Sequence, residues 1–266
     1  MSIFTDTPGL LDALRGEMTP KFLASRNPVG IPNVVPVISI LPVDDQEDTI
    51  FLGNFMLRKT VQNLDQDKRV GILVITADLK GWILSGDFIE WQRTGKYVDQ
   101  QMSSPLLRYN AYTGVRNAGL IRVRTVLGGF SIPKLKVALD YLTIKLFAAT
   151  PQGKVDGAVT IPLEVRRQFA LMTAIKVLAW LDSDGYPRIL PMLSLQPRGE
   201  NFLAGKVDPY NLILPEDGAP VAANILTPEA VSYKAKGRWA KQGSLGVIAV
   251  QEIYAGGPPK PGGRVA

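Results

Sequence analysis

Apolar residues recur along this chain in two patterns, dense or alternating runs typical of strands and wider spacings typical of helices. The runs predict strands in the first half at 22–25, 33–40, 49–54, 69–76, 81–92 and 118–133. They predict strands in the second half at 177–181, 188–195, 201–206, 220–226, 230–240 and 244–257. Helical spacing predicts short helices after Thr7 and Thr160, a helix through 57–64 and a longer one at 135–149. The pattern therefore predicts a mainly β protein with a few helices, of the α+β class.

One stretch of the sequence occurs twice, and we call it the repeated phrase. The stretch KFLASRNPVGIPNVVPVISI, residues 21–40, returns without a gap as KVLAWLDSDGYPRILPMLSL, residues 176–195. Seven positions are identical, at the pairs Lys21/Lys176, Leu23/Leu178, Ala24/Ala179, Gly30/Gly185, Pro32/Pro187, Pro36/Pro191 and Ser39/Ser194. We interpret the phrase as an internal repeat, and a spacing of 155 in a chain of 266 residues predicts two domains.

Each copy of the phrase carries a proline inside a predicted strand. Because proline cannot donate to a strand ladder, Pro36 and Pro191 predict an edge strand, a bulge or a place where the strand leaves its neighbour. Such a place can hold a ligand, or it can be a bend with no ligand. The turns NPVG and DSDG that precede these strands end in Gly30 and Gly185, which can adopt the positive φ that such turns need.

Composition narrows the possible chemistry. The chain contains neither histidine nor cysteine, which excludes Ser-His and Cys-His catalysis and removes imidazole and thiolate metal ligands. We predict no metal and favour a borrowed cofactor that carries the chemistry. The net charge of +6 suits a phosphate-bearing cofactor, and it suits nucleic acid too. Nucleic acid ranks low because no basic run is interleaved with aromatic residues.

No apolar run reaches the roughly 18 residues that cross a bilayer, so we expect no membrane span. The N-terminus has no basic region followed by an apolar segment, which is unlike a secretory signal. The absence of cysteine agrees with a reducing compartment. We expect a cytoplasmic protein.

A basic pair marks the helix predicted after the strand TIFLGN. Arg58 and Lys59 stand near the start of this helix, where unpaired backbone N–H groups and the helix dipole favour an anion. The pair is therefore a candidate phosphate site. The alternative is a solvated pair on the surface, which is common on helices. The second half has no Lys-Thr pair and no helical pattern at this place.

The order GIPNVVPV, FLGNFMLRKTVQNLDQDKRV and GWILSGDF resembles the flavin-binding split β-barrel family typified by pyridoxamine 5′-phosphate oxidase. The resemblance covers residues 10–133, and the second half repeats its opening phrase more faintly. It implies two split β-barrels in tandem joined by a helical linker. The expected divisions are an FMN-binding barrel at 1–133, the linker and a loop at 134–157, a degenerate barrel at 158–257 and a mobile tail at 258–266.

Carried over residue by residue, the resemblance implies a cofactor site. Arg58 and Lys59 would bind the FMN phosphate, with Thr60 and Asn33 as further candidates. Leu52 and Gly53 would lie along the ribityl chain. Backbone atoms of Val35, Pro36 and Val37 would contact the isoalloxazine edge, and Trp82 would line the ring pocket. Trp82 is equally well explained as a buried barrel aromatic. No catalytic residue is assigned.

The chain departs from the family pattern at several positions. Leu57 stands where many relatives carry serine, and Asp67-Lys68 replaces the usual Asn-Pro. The histidine with which the true oxidase holds its substrate is missing, so we do not predict pyridoxamine phosphate oxidation. A haem-degrading activity is disfavoured for the same reason, since such relatives supply a histidine ligand to the iron.

The repeat suggests why one chain has two barrels. Members of this fold commonly pair as dimers with the flavin between two barrels, so a duplicated chain predicts a pseudo-dimer with the second half as a built-in neighbour. That neighbour would supply a wall through Tyr210, Arg238 or Trp239. In the competing arrangement the first halves of two chains pair as a homodimer.

The predicted function is FMN binding, with an FMN-dependent oxidoreductase as the first hypothesis; the substrate and the electron donor are unknown. A deazaflavin-dependent reductase and a non-enzymatic flavin-binding or sensory protein are the alternatives. An interaction protein built from two degenerate barrels is the remaining one.

Overall fold

A computed structural model of the chain describes residues 2–43, 47–104, 114–147, 156–207, 214–257 and 261–266. The helices of the first half are α1 (Ile3–Asp6), α2 (Leu10–Arg15), α3 (Lys59–Gln66) and α4 (Lys96–Met102). Its strands are β1 (Lys21–Arg26), β2 (Pro32–Pro36), β3 (Leu41–Pro42), β4 (Thr49–Asn54), β5 (Arg69–Ile75), β6 (Lys80–Gln92) and β7 (Asn117–Ser131).

The linker helix α5 (Lys134–Phe147) follows the first half. The second half contains one further helix, α6 (Leu163–Phe169), among the described residues. Its strands are β8 (Ile175–Leu181), β9 (Pro187–Pro191), β10 (Gln196–Arg198), β11 (Phe202–Lys206), β12 (Pro220–Leu226), β13 (Ser232–Gln242) and β14 (Leu245–Ala255).

The strands form two seven-stranded antiparallel sheets with the same topology. The first sheet has the order β2-β1-β5-β6-β7-β4-β3, and the second has the order β9-β8-β12-β13-β14-β11-β10. Each strand of the first sheet therefore has a counterpart seven places later in the second. The mainly β fold with two tandem barrels and a helical linker is confirmed, and the identical order is what a tandem duplication predicts.

Alternation along the strands gives each barrel its own core. In β1, Leu23 faces the first core, while Phe22 and Ala24 face the opposite way. In β8, the repeat partner Leu178 faces the second core. Leu23 and Leu178 are both fully buried, and burying a leucine side chain contributes roughly 1.5 to 3 kcal/mol.

The outward faces of β1, β2 and β5 pack against those of β8, β9 and β12, and we call this interface the seam. Phe22 meets it from the first half, with Ala24 beside it, and their repeat partners Val177 and Ala179 meet it from the second. Strands buried on both faces lose the polar alternation of a one-sided sheet. This explains why the predicted strands read as nearly continuous apolar runs.

A polar network closes one end of the seam. The Arg26 guanidinium donates to the carbonyl of Gly185 at 3.1 Å, and Arg69 donates to the carbonyl of Asp184 at 3.1 Å. Tyr186 of the second half donates to Asp87 of the first at 2.9 Å. These bonds fix the β8–β9 turn against the first barrel.

The lysines of the repeated phrase are structural. Lys21 is fully buried, and its Nζ donates to the carbonyls of Gly16 at 2.7 Å and Ile38 at 3.3 Å. Lys176 is also fully buried and donates to Leu171 and Leu193, which lie 155 positions after the two acceptors of Lys21. Burial lowers the pKa of Lys21 to about 8 and that of Lys176 to about 7. In each barrel the buried lysine therefore ties the turn after the entry helix to the segment that follows the second strand.

The repeated prolines and glycines lie where the sequence predicts. Pro36 and Pro191 end β2 and β9, which are the edge strands of their sheets. Gly30 and Gly185 have φ values of +80° and +77°, as the turns before those strands require. Edge position spares each proline a ladder partner on one side.

Several element boundaries differ from the sequence prediction. The run 188–195 ends as a strand at Pro191, and a separate strand β10 follows from Gln196, because the chain turns at 192–195. The strand β3 was not predicted. The helix predicted after Thr7 is α2, which begins after Gly9 at φ +77°, and the short helix α1 before Thr7 was not predicted.

The sequence also predicts a helical or irregular stretch at 95–112, of which 105–112 lies outside the described residues. The predicted positions 148–155, Tyr210 and 258–260 lie outside them too. Of the polar stretch between β11 and β12, the described positions 214–219 contain no helix. Within 261–266, for which composition predicts mobility, Arg264 forms a bridge with Tyr254 and Ala266 packs against the second core. No helix in the described part of the chain is long and apolar enough to cross a membrane.

Candidate cofactor site at the seam

Helix α3 begins at the seam because a short turn aims it there. The buried strand β4 ends at Asn54, whose side-chain oxygen accepts a hydrogen bond from the Leu57 N–H at 3.0 Å and fixes the turn. Thr60 and Leu64 form part of the buried face of α3. Arg58 at the N-cap is left exposed, and Lys59 is half-buried.

Lys59 reaches across the seam to the second half. Its Nζ donates to the hydroxyl of Tyr254 at 3.0 Å and lies 4.2 Å from the centre of that ring. The Tyr254 hydroxyl donates in turn to the Glu252 carboxylate at 2.8 Å. An ammonium over an aromatic face is attracted by the ring quadrupole, so Tyr254 holds Lys59 at this position.

Two further lysines meet Lys59 from strand β13. The Nζ of Lys234 donates to the side-chain oxygen of Asn33 and lies 5.2 Å from the Tyr254 ring centre. Lys234 and Lys236 are only 5% and 6% exposed. Lys236 has no hydrogen bond or ion pair within the described residues. We call Lys59, Lys234 and Lys236 the lysine cluster.

The three ammonium groups of the lysine cluster lie close enough to act on one another. Burial, with the neighbouring charges of Lys236 and Lys59, lowers the pKa of Lys234 to about 7. Burial, with the charge of Lys59, lowers the pKa of Lys236 to about 8. The nearby carboxylate of Glu252 opposes both shifts, yet it also lies 3.6 Å from Arg264. The donor set therefore suits an anion.

A hydrogen-bonded layer supports the cluster from behind. The Asn33 amide donates to Thr60 at 3.2 Å and to Ser25 at 3.5 Å. The Asn63 amide also donates to Ser25, at 3.0 Å. Helix α3 is thereby tied to β1 and β2. Of the residues predicted from the sequence, the structure brings together Lys59, Thr60 and Asn33.

The other predicted residues lie apart from the lysine cluster. Leu52 and Val37 are buried in the first core, and Val35 packs against it. Pro36 is half-buried on the edge strand. The Gly53 N–H donates to Ser39 at 3.2 Å, and helix α4 covers this place, since a Cβ on Gly53 would lie 2.8 Å from Gln101 Oε1.

Trp82 packs against the first core and next to Gly9, away from the lysine cluster. The residues predicted as a wall are also placed differently. Trp239 lies in the second core, and Arg238 is exposed and donates to the Gly218 carbonyl at 3.0 Å. The second half instead presents Lys234, Lys236 and Tyr254.

The sequence carried a signal for the missed lysines. Lys234 and Lys236 alternate with Ala235, which places both on the face of β13 opposite the core. Alternation of this kind is typical of a solvated face. Here the first half covers that face, and only the assembled pair of barrels shows this burial.

No family model and no curated protein matches the chain. Several solved structures do match it. The family resemblance predicted from the sequence is confirmed as a likeness of fold. An FMN-binding protein from Syntrophomonas wolfei is 17% identical, with a TM-score of 0.41, and the match covers 46% of this chain and 87% of that one.

Two more solved structures match the chain. HupZ of group A Streptococcus is 20% identical, with a TM-score of 0.37 and coverage of 48% and 98%. An F420 reductase is 19% identical, with a TM-score of 0.36 and coverage of 45% and 98%. Each match spans about half of this chain.

Proposed function

We propose that this chain binds FMN, with the cofactor phosphate at the start of α3, and acts as an FMN-dependent oxidoreductase. One observation carries the proposal. The basic pair Arg58-Lys59 begins a helix that opens onto the seam, and there Lys59 donates to the Tyr254 hydroxyl and adds its charge to those of Lys234 and Lys236. Helix starts with basic side chains are favourable places for phosphate.

The chemistry would come from the cofactor. Bound FMN would supply hydride or electron transfer, and the residues of this chain would bind and orient it. Arg58 and Lys59 would bind the phosphate, supported by Thr60 and Asn33. By the resemblance, Leu52 and Gly53 would lie along the ribityl chain. Val35, Pro36 and Val37 would offer backbone atoms to the isoalloxazine edge, with Trp82 as the further candidate for the ring pocket.

A titration of the purified protein with FMN tests this proposal. We expect the double variant Arg58→Ala/Lys59→Ala to lose on the order of 3 kcal/mol or more of binding free energy, since a hydrogen bond to a charged group is worth roughly 1.5 to 3 kcal/mol. The control is Lys145→Ala/Arg167→Ala, which removes two exposed charges elsewhere. Equal FMN affinity of the site variant and the wild-type protein would refute the assignment of Arg58 and Lys59.

Parallel titrations separate the cofactor alternatives. Binding of a deazaflavin in preference to FMN would move the proposal to a deazaflavin-dependent reductase. Tight FMN binding with no turnover by nicotinamide donors or oxygen would favour the non-enzymatic flavin-binding protein. In both cases the same α3 variants should weaken binding, because both cofactors carry a phosphate.

A further inference from the structure

We infer that the second half completes the phosphate site through Lys236, assisted by Lys234 and Tyr254, and that the chain holds one such site and not two. The ligand class is a phosphate monoester, the doubly charged group at the end of FMN. This inference rests on the proposed function, to which it adds residues from outside the barrel that resembles the flavin-binding family.

Lys236 is the strongest evidence for a built site. More than nine-tenths of this residue is buried, while its Nζ keeps contact with solvent and makes no hydrogen bond to the described residues. A largely buried ammonium is stabilised by a counter-charge, so an anion that reaches the exposed Nζ would pair with it. Lys59 and Lys234 lie near the same Tyr254 ring, and their charges act on Lys236, so a phosphate bound there would lie among three ammonium groups.

The register of the two sheets identifies the counterpart positions in the first half. Stepping from Leu23 across β5 leads to Leu84, and stepping from its repeat partner Leu178 across β12 leads to Ala235. Both end points face the core of their own barrel. Leu84 and Ala235 therefore occupy the same place in the two sheets.

The residues on either side of these end points differ in kind. Lys234 corresponds to Ile83, and Lys236 corresponds to Ser85. Ile83 joins the apolar packing of the seam, and Ser85 is neutral. The lysine pair therefore has no counterpart on the other side of the seam.

The linker helix α5 covers residues 191–194 of the second half, which correspond to 36–39 of the first. Residues 191–194 repeat 36–39, and Leu193 is 7% exposed, whereas its repeat partner Ile38 is half-buried and packs against the seam. Side chains of α5, including Lys136 and Val137, cover 191–194 and leave a cavity of only about 10 Å³. That volume is comparable to a single water molecule and excludes a phosphate or a flavin ring.

The places around Ser39 and its repeat partner Ser194 have the same backbone hydrogen bonding. The Gly53 N–H donates to Ser39 at 3.2 Å, and in the second half the Lys206 N–H donates to Ser194 at 3.0 Å. The same bond thus joins the corresponding strand and turn in both halves. Helix α4 covers this bond in the first half and α5 covers its equivalent in the second. The two sides therefore differ in charge, since only the second half contributes the lysine pair of β13.

The test compares Lys236→Met with the wild-type protein in calorimetric titrations with FMN and riboflavin. Lys206→Met serves as the matched control, since this lysine lines the small cavity under α5. We expect one FMN per chain and a weakening of FMN affinity by about 10- to 100-fold in Lys236→Met. We expect no change in riboflavin affinity, because riboflavin lacks the phosphate. Lys206→Met should bind FMN as the wild type does, and Lys236→Arg should restore most of the affinity.

The remaining outcomes separate this inference from the proposed function. Two FMN molecules per chain, or equal FMN affinity of Lys236→Met and wild type, would overturn the inference and leave FMN binding intact. If the wild-type protein binds no flavin, the proposed function fails and inorganic phosphate becomes the probe. Loss of phosphate binding in Lys236→Met would then retain the anion site, and equal binding would overturn it. Thermal unfolding of each variant establishes that it is folded.

Discussion

The buried lysine Lys176 should make the stability of this protein rise with pH. Its ammonium has an ordinary pKa of 10.5, and burial lowers that pKa to about 7 in the folded protein. Between these values the unfolded chain holds a proton that the folded chain has released. Because the unfolded state then binds more protons, the free energy of unfolding increases with pH across this window. Below pH 7 both states are protonated and the contribution is constant.

The size of the effect follows from the window. Each pH unit within it contributes about 1.4 kcal/mol, so Lys176 alone should add on the order of 3 kcal/mol between pH 7 and pH 9.5. The residue is fully buried, so solvent screening is small. Lys21, with a pKa lowered to about 8, acts in the same direction over a narrower window.

Urea denaturation at pH 7 and pH 9.5 measures this contribution. The variant Lys176→Met keeps the length of the side chain and removes the ammonium, which costs stability through two unpaired carbonyls at either pH. Its gain between the two pH values should be smaller than the wild-type gain by on the order of 3 kcal/mol. Lys145→Met, an exposed change on α5, should show the full wild-type gain. Equal gains in wild type and Lys176→Met would refute the reasoning.

Three further outcomes are expected. FMN affinity should fall as pH rises from 7 to 9, because Lys234 and Lys236 lose the charges that attract the phosphate, and calorimetry should show a flatter profile for Lys236→Met. Phe22→Ala should lower the free energy of unfolding in urea by about 3 to 5 kcal/mol by opening a cavity in the seam, whereas Val29→Ala on the exposed turn should change it little. Asn54→Ala should lower stability by about 1 kcal/mol and weaken FMN binding, since the turn into α3 loses its hydrogen bond; unchanged FMN affinity would contradict the role of that turn.

Much of the fold could be predicted from the sequence because the repeat places the same backbone-restricting prolines and glycines in both halves. Pro36 and Pro191 restrict hydrogen bonding in their strands, and both lie on edge strands. Gly30 supplies the positive φ of its turn, as does Gly185. The repeat shows Lys21 and Lys176 only as an identical pair. Their role as buried donors depends on carbonyl groups that the sequence alone does not bring near them.

The candidate site was only half predictable for a related reason. Lys59 could be singled out because the start of a helix is a local feature with local chemistry. Lys236 could not, because the first-half residue whose charge acts on it, Lys59, is more than a hundred positions away in the chain. Trp239 illustrates the reverse case, since an aromatic residue that suggested a ligand wall belongs to the second core. The alternation of side chains predicts on which face of a strand a residue lies. Which element packs against that face depends on the tertiary structure.

The covalent link between the two barrels has a consequence for how the site behaves on dilution. In a pair of separate subunits, the lysines opposite α3 would be lost as the subunits dissociate at low concentration. Here α5 joins the barrels within one chain, so the second half is present at an effective concentration set by the linker, of about millimolar or higher. Assembly of the site is therefore unimolecular, and its affinity for an anion should be the same at nanomolar and at micromolar protein.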